Sequence, residues 1–451
     1  MNKNRDFQGE IMRINTARID GSIGTMIAFF AVIAFLTSAC SLGNDDGTGS
    51  ATPVFQSESF DGIMFVSLSC AVAGATIRYT TDGCDPTDSS KAYSNSFPLF
   101  TTTTVKAVAS GAAFGNSPIA TKLYTIDNYT HKVVNNTPYF VKNGESNALP
   151  VPPSTVSCST NCCGVSAIGD VYVAGSTKDV TGNSLPCYWV NGAYYALPLP
   201  VGAVRGGLAF SFVFKDSDFY LSGYTTDAAS VSTPCYWKNG AYVALSGYSS
   251  SLGGTISDNL GMGDDGTLFV SGSVYLTANV DTPCYWTDGT YHQLSLPDSM
   301  EGKCEQVLIE GSKTYVSGVY DSTGADYHNV KPCLWVDGVL STLDAPTLTL
   351  PSGATSCGYR TNSIFVSGTD IYVGGYSYIV SSGSWIMSPL YWKNGVITTL
   401  SLPPYSGVSG GVWSFKAMSG TVLPFGSWSS DSGYGNCYWS DGVCLYGMNT
   451  K

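Results

Sequence analysis

The stretch "CYWKNG", Cys235 to Gly240, decides the fold, because the chain repeats it. The same frame reads "CYWVNG" from Cys187, "CYWTDG" from Cys284, "CLWVDG" from Cys333, "LYWKNG" from Leu390 and "CYWSDG" from Cys437. A weaker copy, "YFVKNG", starts at Tyr139. The six tryptophans in this frame are Trp189, Trp237, Trp286, Trp335, Trp392 and Trp439, spaced 48, 49, 49, 57 and 47 residues apart. The Asn-Gly or Asp-Gly that closes each copy suits a two-residue turn whose twist matches antiparallel strands.

A second marker lies 13 to 17 residues upstream of each Trp. It is an aromatic-rich strand ending in glycine: "VYVAG" to Gly175, "FYLSG" to Gly223, "LFVSG" to Gly272, "TYVSG" to Gly318, "IYVGG" to Gly375 and the degenerate "VLPFG" to Gly426. A short strand ending in Leu follows each turn, as in "AYVAL" and "VITTLSLP". A unit of about 48 residues therefore holds four strands, for example "LAFSFVF", "FYLSGYT", "PCYWK" and "AYVAL". Four antiparallel strands at a near-constant period read as the blade of a β-propeller. A large ring at one fixed place in every blade is expected to fill the same gap between neighbouring blades. The Tyr beside it points to the other side of the strand, toward solvent or the previous blade. Six units carry both markers, and the partial unit at residue 138 leaves the count at six or seven. An opening half-unit suggests that the first strands complete a blade with the last ones, although the last unit is already complete through "VCLYG". The layout also resembles kelch repeats, loosely, since only "IYVGG" has the double glycine.

Composition agrees with an all-β chain. Of 451 residues, 12% are charged, 13% are aromatic and 51 are Gly, which suits short strands joined by tight turns. The net charge of −12 repels phosphate backbones and argues against a nucleic-acid partner. Fourteen cysteines suit an exported protein better than a cytosolic one.

The N-terminus reads as an address. "MIAFFAVIAFL", residues 26–36, is an apolar run of 11, about half of the roughly 20 a bilayer span needs. Lys3, Arg5, Arg13 and Arg18 precede it and "TSAC" follows, the layout of a secretory signal peptide over residues 1–39. The end resembles a bacterial lipobox, with Leu36 one position further from the cysteine than usual. The resemblance implies lipid attachment at Cys40 and a membrane-held lipoprotein on the periplasmic or cell-surface side. The alternative is a plain secreted protein cut near Ala39, or an uncleaved anchor. Residues 40–52 are polar and Gly-rich, as a flexible tether is.

Residues 53–126 alternate as strands do: "IMFVSLSC", "ATIRYTTDG", "TTTTVKAVAS" and "PIATKLYTI" make a small β-sandwich. "GATIRYTTDGCDPT" (Gly74 to Thr87), Tyr93, "TTVKAVA" and "SPIATKLYTI" resemble the chitobiase/β-hexosaminidase C-terminal type of domain, also described as GH29D-like or Fn3-associated. Cys84 stands where that family carries Ser or Thr. The resemblance implies a noncatalytic accessory sandwich in carbohydrate surroundings. Cys70 and Cys84 could pair in an oxidising compartment, although a simple hairpin register does not place them opposite each other. Residues 127–136 read as a linker, and 137–449 as the propeller.

No constellation for chemistry stands out. A hydrolase needs paired carboxylates, or a nucleophile with a base. Of the three histidines, His292 occupies a marker position shared with Val243 and Thr398, and His328 sits in a variable loop. Sialidase propellers use an arginine cluster, and this propeller has only Arg205 and Arg360. "SSDSGYGN" at Ser429 holds half of the motif of that family. "CSTNCCG", Cys158 to Gly164, lacks the fourth ligand that zinc wants. Asp258, Asp264 and Asp265 form no repeating calcium pattern, so no metal or cofactor is assigned. The cysteines at Cys187, Cys235, Cys284, Cys333 and Cys437 are expected to be buried thiols, too far apart between blades to bridge.

The expected architecture is therefore all-β: a signal helix, a small sandwich and a six- or seven-bladed propeller. The expected role is a noncatalytic envelope lipoprotein, held to the membrane by its lipid, that acts as a scaffold for a protein or glycan ligand. Recognition would lie in the variable loops between second and third strands. The alternative is a secreted carbohydrate-active enzyme of glycoside-hydrolase type, marked by two carboxylates in the central funnel. A purely structural envelope role is a third reading. The sequence leaves the ligand and the oligomeric state open.

Overall fold

The computed structural model describes residues 52–450, apart from 61–62, 113–114, 128, 248–252, 264, 278–279, 323–329, 350–351, 382–383, 419 and 447–448. The signal segment and Cys40 lie outside the described residues. Every element described is a strand, and no helix among these residues is long and apolar enough to cross a membrane. The chain divides into two compact units, with the boundary after Asp127.

The first unit is a sandwich of two sheets. One holds β1 (Val54–Phe60), β2 (Ile63–Ser69) and β5 (Phe97–Leu99). The other holds β3 (Thr76–Thr80), β4 (Lys91–Ala92), β6 (Thr103–Gly111), β7 (Gly115–Asn116) and β8 (Ala120–Tyr124). Period-two alternation sends Val66 and Leu68 from one sheet, and Ile77, Tyr79, Val105 and Ala107 from the other, into one core. Tyr79 stacks on Phe97 across it at 4.1 Å. Asp82 and Gly83 make the tight turn: the Cys84 amide donates to Asp82 Oδ1 at 3.0 Å and Gly83 has φ +81°. No disulfide joins Cys70 and Cys84.

The second unit is a propeller of six four-stranded blades preceded by a three-stranded one. The full blades span residues 157–196, 206–244, 254–293, 300–342, 354–399 and 409–446, and are numbered 1 to 6. In blade 2 the strands are Gly206–Lys215, Asp218–Thr226, Ser232–Lys238 and Ala241–Ala244, each antiparallel to its predecessor. First strands of successive blades adjoin one another, so they line the propeller axis.

Two expectations change here. Residues 127–136, read as a linker, contain the strand Tyr129–Val134, which pairs with Thr137–Lys142. The turn between them is Asn135-Asn136, both at positive φ (49° and 59°). Asparagine tolerates that region as glycine does, so the hairpin carries no glycine to announce it. These strands and Glu145–Ala148 form a sheet of their own and do not join the last blade, which has its four strands and the short Asn449–Thr450 paired beside the third.

The repeated residues each have a mechanical task. All six frame tryptophans are buried, at 0 or 1% exposure. Each packs on the preceding blade, and each indole N–H donates to a backbone carbonyl there. Trp189 reaches Pro150 (2.7 Å), Trp237 Pro198 (2.9 Å), Trp286 Ser246 (2.9 Å), Trp335 Ser295 (2.9 Å), Trp392 Asp344 (2.6 Å) and Trp439 Ser401 (2.6 Å). Every acceptor directly follows a buried leucine, Leu149, Leu197, Leu245, Leu294, Leu343 or Leu400, that ends the previous unit. The leucine amide in turn donates to the carbonyl of a proline in the strand just before the frame turn, as from Leu245 to Pro234 at 3.1 Å. The neighbouring Tyr faces the following blade, neither solvent nor the previous one: Tyr188 lies 5.2 Å from Phe219, and Tyr236 packs with Val213, Met262 and Leu268. These tyrosines therefore form no open row of rings for sugar.

The turn residue does more than bend the chain. Asn239 has φ +51° and Gly240 +82°, the pattern recurring at every frame turn. Its Oδ1 accepts the Phe219 amide at 2.9 Å and its Nδ2 donates to Asp218 at 2.7 Å, pinning the second strand to the third. Where the turn carries Asn191 or Asn394, the acceptor is again an aspartate, Asp170 or Asp370. Where it carries Asp288 or Asp337, which cannot donate, the matching residue is Thr267 or Lys313. The Asn239 bond, and then Lys238 at 2.9 Å, hold the Asp218 carboxyl below its ordinary range. Asn239→Asp is expected to lower the melting temperature through carboxylate repulsion, and Asp218→Thr added to it should recover the loss. Paired thermal melts read both.

Candidate functional site

The first strand of every full blade carries a bulge, and the marker glycine of the second strand lies beside it. The register slips after Thr160, Ala209, Ile256, Cys304, Thr361 and Val412, which pair with Gly175, Gly223, Gly272, Gly318, Gly375 and Gly426. Bulges re-aim side chains, and these do so next to the axis. With the bulge as reference the blades can be compared position by position, and blades 3 to 5 depart from the rest.

The departures cluster at the end where second and third strands connect. The third-strand position five residues before the frame Trp is Ser184, Ser232 or Met387 in blades 1, 2 and 5, and Asp281 in blade 3. The first-strand position held by Gly206, Gly358 or Ser409 is Glu301 in blade 4, paired with Asp321 where others have Thr226, Tyr378 or Ser429. Asp281, Glu301 and Asp321 are 7, 5 and 9% exposed, and carboxylates are seldom buried so deeply without partners.

The partners form a chain across three blades. Asp281 accepts from Ser273 at 2.8 Å and faces Lys303 of the next blade at 3.6 Å. Ser271 Oγ donates to the Glu305 carbonyl at 2.9 Å, and the Glu305 carboxylate meets Arg360 of blade 5 at 3.0 Å. Gln306 Oε1 accepts the Ile364 amide at 3.0 Å. Asp321 accepts from the Ser322 amide at 2.8 Å. Burial, and then the charges of Asp281 and Glu301, push the Tyr275 phenol up to about 12, so it stays a protonated donor. Arg360 is the one long cation on this strand segment, and its charge reaches the buried phenol of Tyr378.

Aromatic rings flank this seam. Tyr378 lies 4.7 Å from Trp385, and Tyr376 lies 5.8 Å from Trp413, whose indole donates to Ser427 at 2.7 Å. Trp385 and Trp413 are half-buried, unlike the frame tryptophans. The seam thus combines carboxylate acceptors, Lys and Arg donors, phenols and partly open ring faces. That is the side-chain set of a site for a polar organic molecule with apolar faces.

The residues singled out from the sequence fall elsewhere. His292 is half-buried on the outer edge of blade 3, stacked on Tyr285 at 4.7 Å with Nε2 2.7 Å from Thr287 Oγ1. Burial lowers its pKa. Cys162 and Cys163 point to opposite sides of one strand, into the cores toward blade 2 and the opening sheet. Burial pushes Cys163 up to about 12, which makes it a poor nucleophile and a poor metal ligand. Cys187, Cys235, Cys284, Cys333 and Cys437 are free, fully buried thiols. Among the described residues no group of three or more His, Cys, Asp or Glu could hold a metal ion. Asp265 accepts the Thr267 amide in a turn, while Asp264 and His328 lie outside the described residues. Asp281, Glu301 and Asp321 were missed, and the signal for them was present: Asp281 and Glu301 each break an otherwise neutral position of the repeat, and Asp321 is an acid where blade 1 carries Lys178 and the other blades a neutral residue.

Fold and site define an all-β chain of a sandwich unit and a β-propeller with a charged, aromatic-edged seam on its axis. Residues 56–122 match the family model described as the chitobiase/beta-hexosaminidase C-terminal domain. A comparison with curated proteins finds no match to the chain. Among solved structures, a thermostable family-43 glycoside hydrolase aligns over 55% of this chain and 95% of its own, at 11% identity and a TM-score of 0.33. The putative TolB of Agrobacterium tumefaciens aligns over 48% and 76%, at 12% identity and 0.33. A PL25 polysaccharide lyase, an ulvan lyase, aligns over 63% and 81%, at 10% identity and 0.39. Likeness of this degree assigns no activity to the present chain.

Proposed function

We propose that the protein is a noncatalytic glycan-binding scaffold of the cell envelope, and that the seam of blades 3 to 5 holds the glycan. The observation that carries this reading is the confinement of Asp281, Glu301, Asp321, Lys303 and Arg360 to adjoining blades at one end of the axis, beside Trp385 and Trp413. Sugar hydroxyls both donate and accept, so they suit a surface that alternates carboxylates with cations, and their C–H faces suit indoles. Engagement of Asp281 by Ser273 and Lys303, and of Glu305 by Arg360, favours positioning over proton transfer. The match of the sandwich to a domain named for chitobiase and β-hexosaminidase favours glycan over protein as ligand. Lipid at Cys40 would hold both units at the membrane, and fatty-acid labelling that persists in Cys40→Ala would refute that part.

A glycan array followed by calorimetric titration of each hit tests the reading. Arg360→Ala and Glu301→Gln are expected to weaken binding about tenfold or more, roughly 1.4 kcal/mol. Lys238→Met, at the opposite end of blade 2, should leave it unchanged. Binding that survives both seam variants, or no binding to any glycan, counts against the site. Glycoside hydrolysis is the second reading, favoured by Tyr275 lying within reach of two carboxylate charges. New reducing ends from a bound glycan, lost in Asp281→Asn, would move the assignment to an enzyme.

A further inference from the structure

Blade 6 differs from the others at one more place. The fourth-strand residue opposite the frame Trp is Tyr194, Tyr242, Tyr291, Leu340 or Ile397 in blades 1 to 5. In blade 6 it is Cys444, opposite Trp439. Cys437 and Trp439 share a face of the third strand, so Cys444 lies on that same face, diagonal to Cys437. A second thiol thus stands beside the cysteine the repeat already supplies. The turn Asp441-Gly442 holds the two strands in this register, with φ of +51° and +76°.

Diagonal neighbours across a twisted antiparallel pair lie at the outer limit of what a disulfide spans, and here both thiols pack with Trp439 in one buried cluster. Cys437 and Cys444 are 0 and 8% exposed. Cys284, Cys304 and Cys333 also approach one another, but they sit on two blades and on strands that do not form one hairpin.

We propose that Cys437 and Cys444 are a redox pair that closes into a disulfide across the outer hairpin of blade 6. The oxidant is a low-molecular-weight disulfide such as oxidised glutathione. One thiolate attacks it and forms a mixed disulfide, releasing one thiol. The second cysteine then attacks the protein sulfur and releases the other thiol. One S–S bond forms in the protein and one breaks in the oxidant, and two protons and two electrons pass from the cysteines to it. Burial holds the Cys437 thiol far above its ordinary range, so exchange belongs to the stage of folding before the hairpin docks on blade 5. Once closed, the bond fastens the two strands around Trp439.

The test is refolding of the full chain in a glutathione redox buffer, acid quench, blocking of free thiols with iodoacetamide and peptide mass analysis. Both cysteines fall in one tryptic peptide, residues 417–451, because no Lys or Arg lies between Lys416 and Lys451. The expected product is that peptide unblocked at both cysteines and about 2 Da lighter than its reduced form. Cys437→Leu, which copies Leu390 of blade 5, should leave Cys444 fully blocked. It should also abolish the rise in melting temperature that oxidation gives the unsubstituted chain. Full blocking of both cysteines after oxidative refolding, or a bond from either to a third cysteine, overturns the proposal. Should Cys437→Leu fail to fold, Cys444→Leu, which copies Leu340 of blade 4, carries the same readout.

Discussion

Trp335→Ala is expected to destabilise the propeller by about 3–5 kcal/mol, enough to unfold blade 4 from blade 3 at ordinary temperature in a protein of typical stability. The ring is fully buried among Leu294, Phe269 and Cys304, so its removal leaves a cavity that packed strands cannot collapse to fill. It also strands the Ser295 carbonyl, which now accepts the indole N–H at 2.9 Å. Trp335→Phe separates the two contributions. Phenylalanine keeps most of the bulk and loses the donor, so its cost should be about 1–3 kcal/mol, that of one unsatisfied buried acceptor plus a smaller void. Denaturant unfolding followed by tryptophan fluorescence and by circular dichroism reads both variants. A Trp335→Phe as stable as the parent would mean that the carbonyl bond is incidental.

Gly318→Ala should cost about as much for the opposite reason, excess volume. A methyl group there would overlap the backbone carbonyl oxygen of Lys303 and come within 2.9 Å of the Trp335 ring. The obstacle is main chain at the bulge of the first strand, which cannot swing aside as a side chain can. Overpacking usually costs about 1–3 kcal/mol, and a backbone collision places this substitution at or above the top of that range. Because the methyl also meets Trp335, the pair should be non-additive: Gly318→Ala should cost less in a Trp335→Ala background than in the parent. Strict additivity in a double-mutant cycle would show that the glycine and the indole do not share the gap. Gly192, at φ +85° with open space around it, is the contrasting case, in which backbone conformation alone asks for glycine.

Both substitutions bear on the candidate seam. Lys303, whose carbonyl limits Gly318, also carries the ammonium facing Asp281. A displaced first strand in blade 4 would therefore move Lys303 and Glu305 together, and glycan binding should weaken in Gly318→Ala even where the chain still folds.

What could be read from the sequence was the part of the structure that repeats. The Trp frame, the Asn-Gly or Asp-Gly turn and the marker glycine recur at a fixed period because each solves a problem within one blade or with one neighbour. Local chemistry is enough to recognise them: positive φ for the turn, bulk for the ring, alternation for the strands. The strand Tyr129–Val134 escaped because its turn uses asparagine twice and no glycine. Which way Tyr188 and Tyr236 face was not legible either, since period two gives the opposite side of a strand but not the blade that covers it.

Only the tertiary structure decided the rest. The marker glycines were visible, but their cause, a bulged first strand pressing a carbonyl against them, comes from pairing between strands that the sequence does not align. Asp281, Glu301, Asp321 and Arg360 lie as much as 79 residues apart along the chain and look like isolated deviations there. They become a site because consecutive blades set the same end of each unit side by side around an axis. The charges answer one another across the gaps, and the low-dielectric surroundings make each unpaired one costly. Period and turn chemistry therefore determined the blade, and the stacking of blades determined where its exceptions meet.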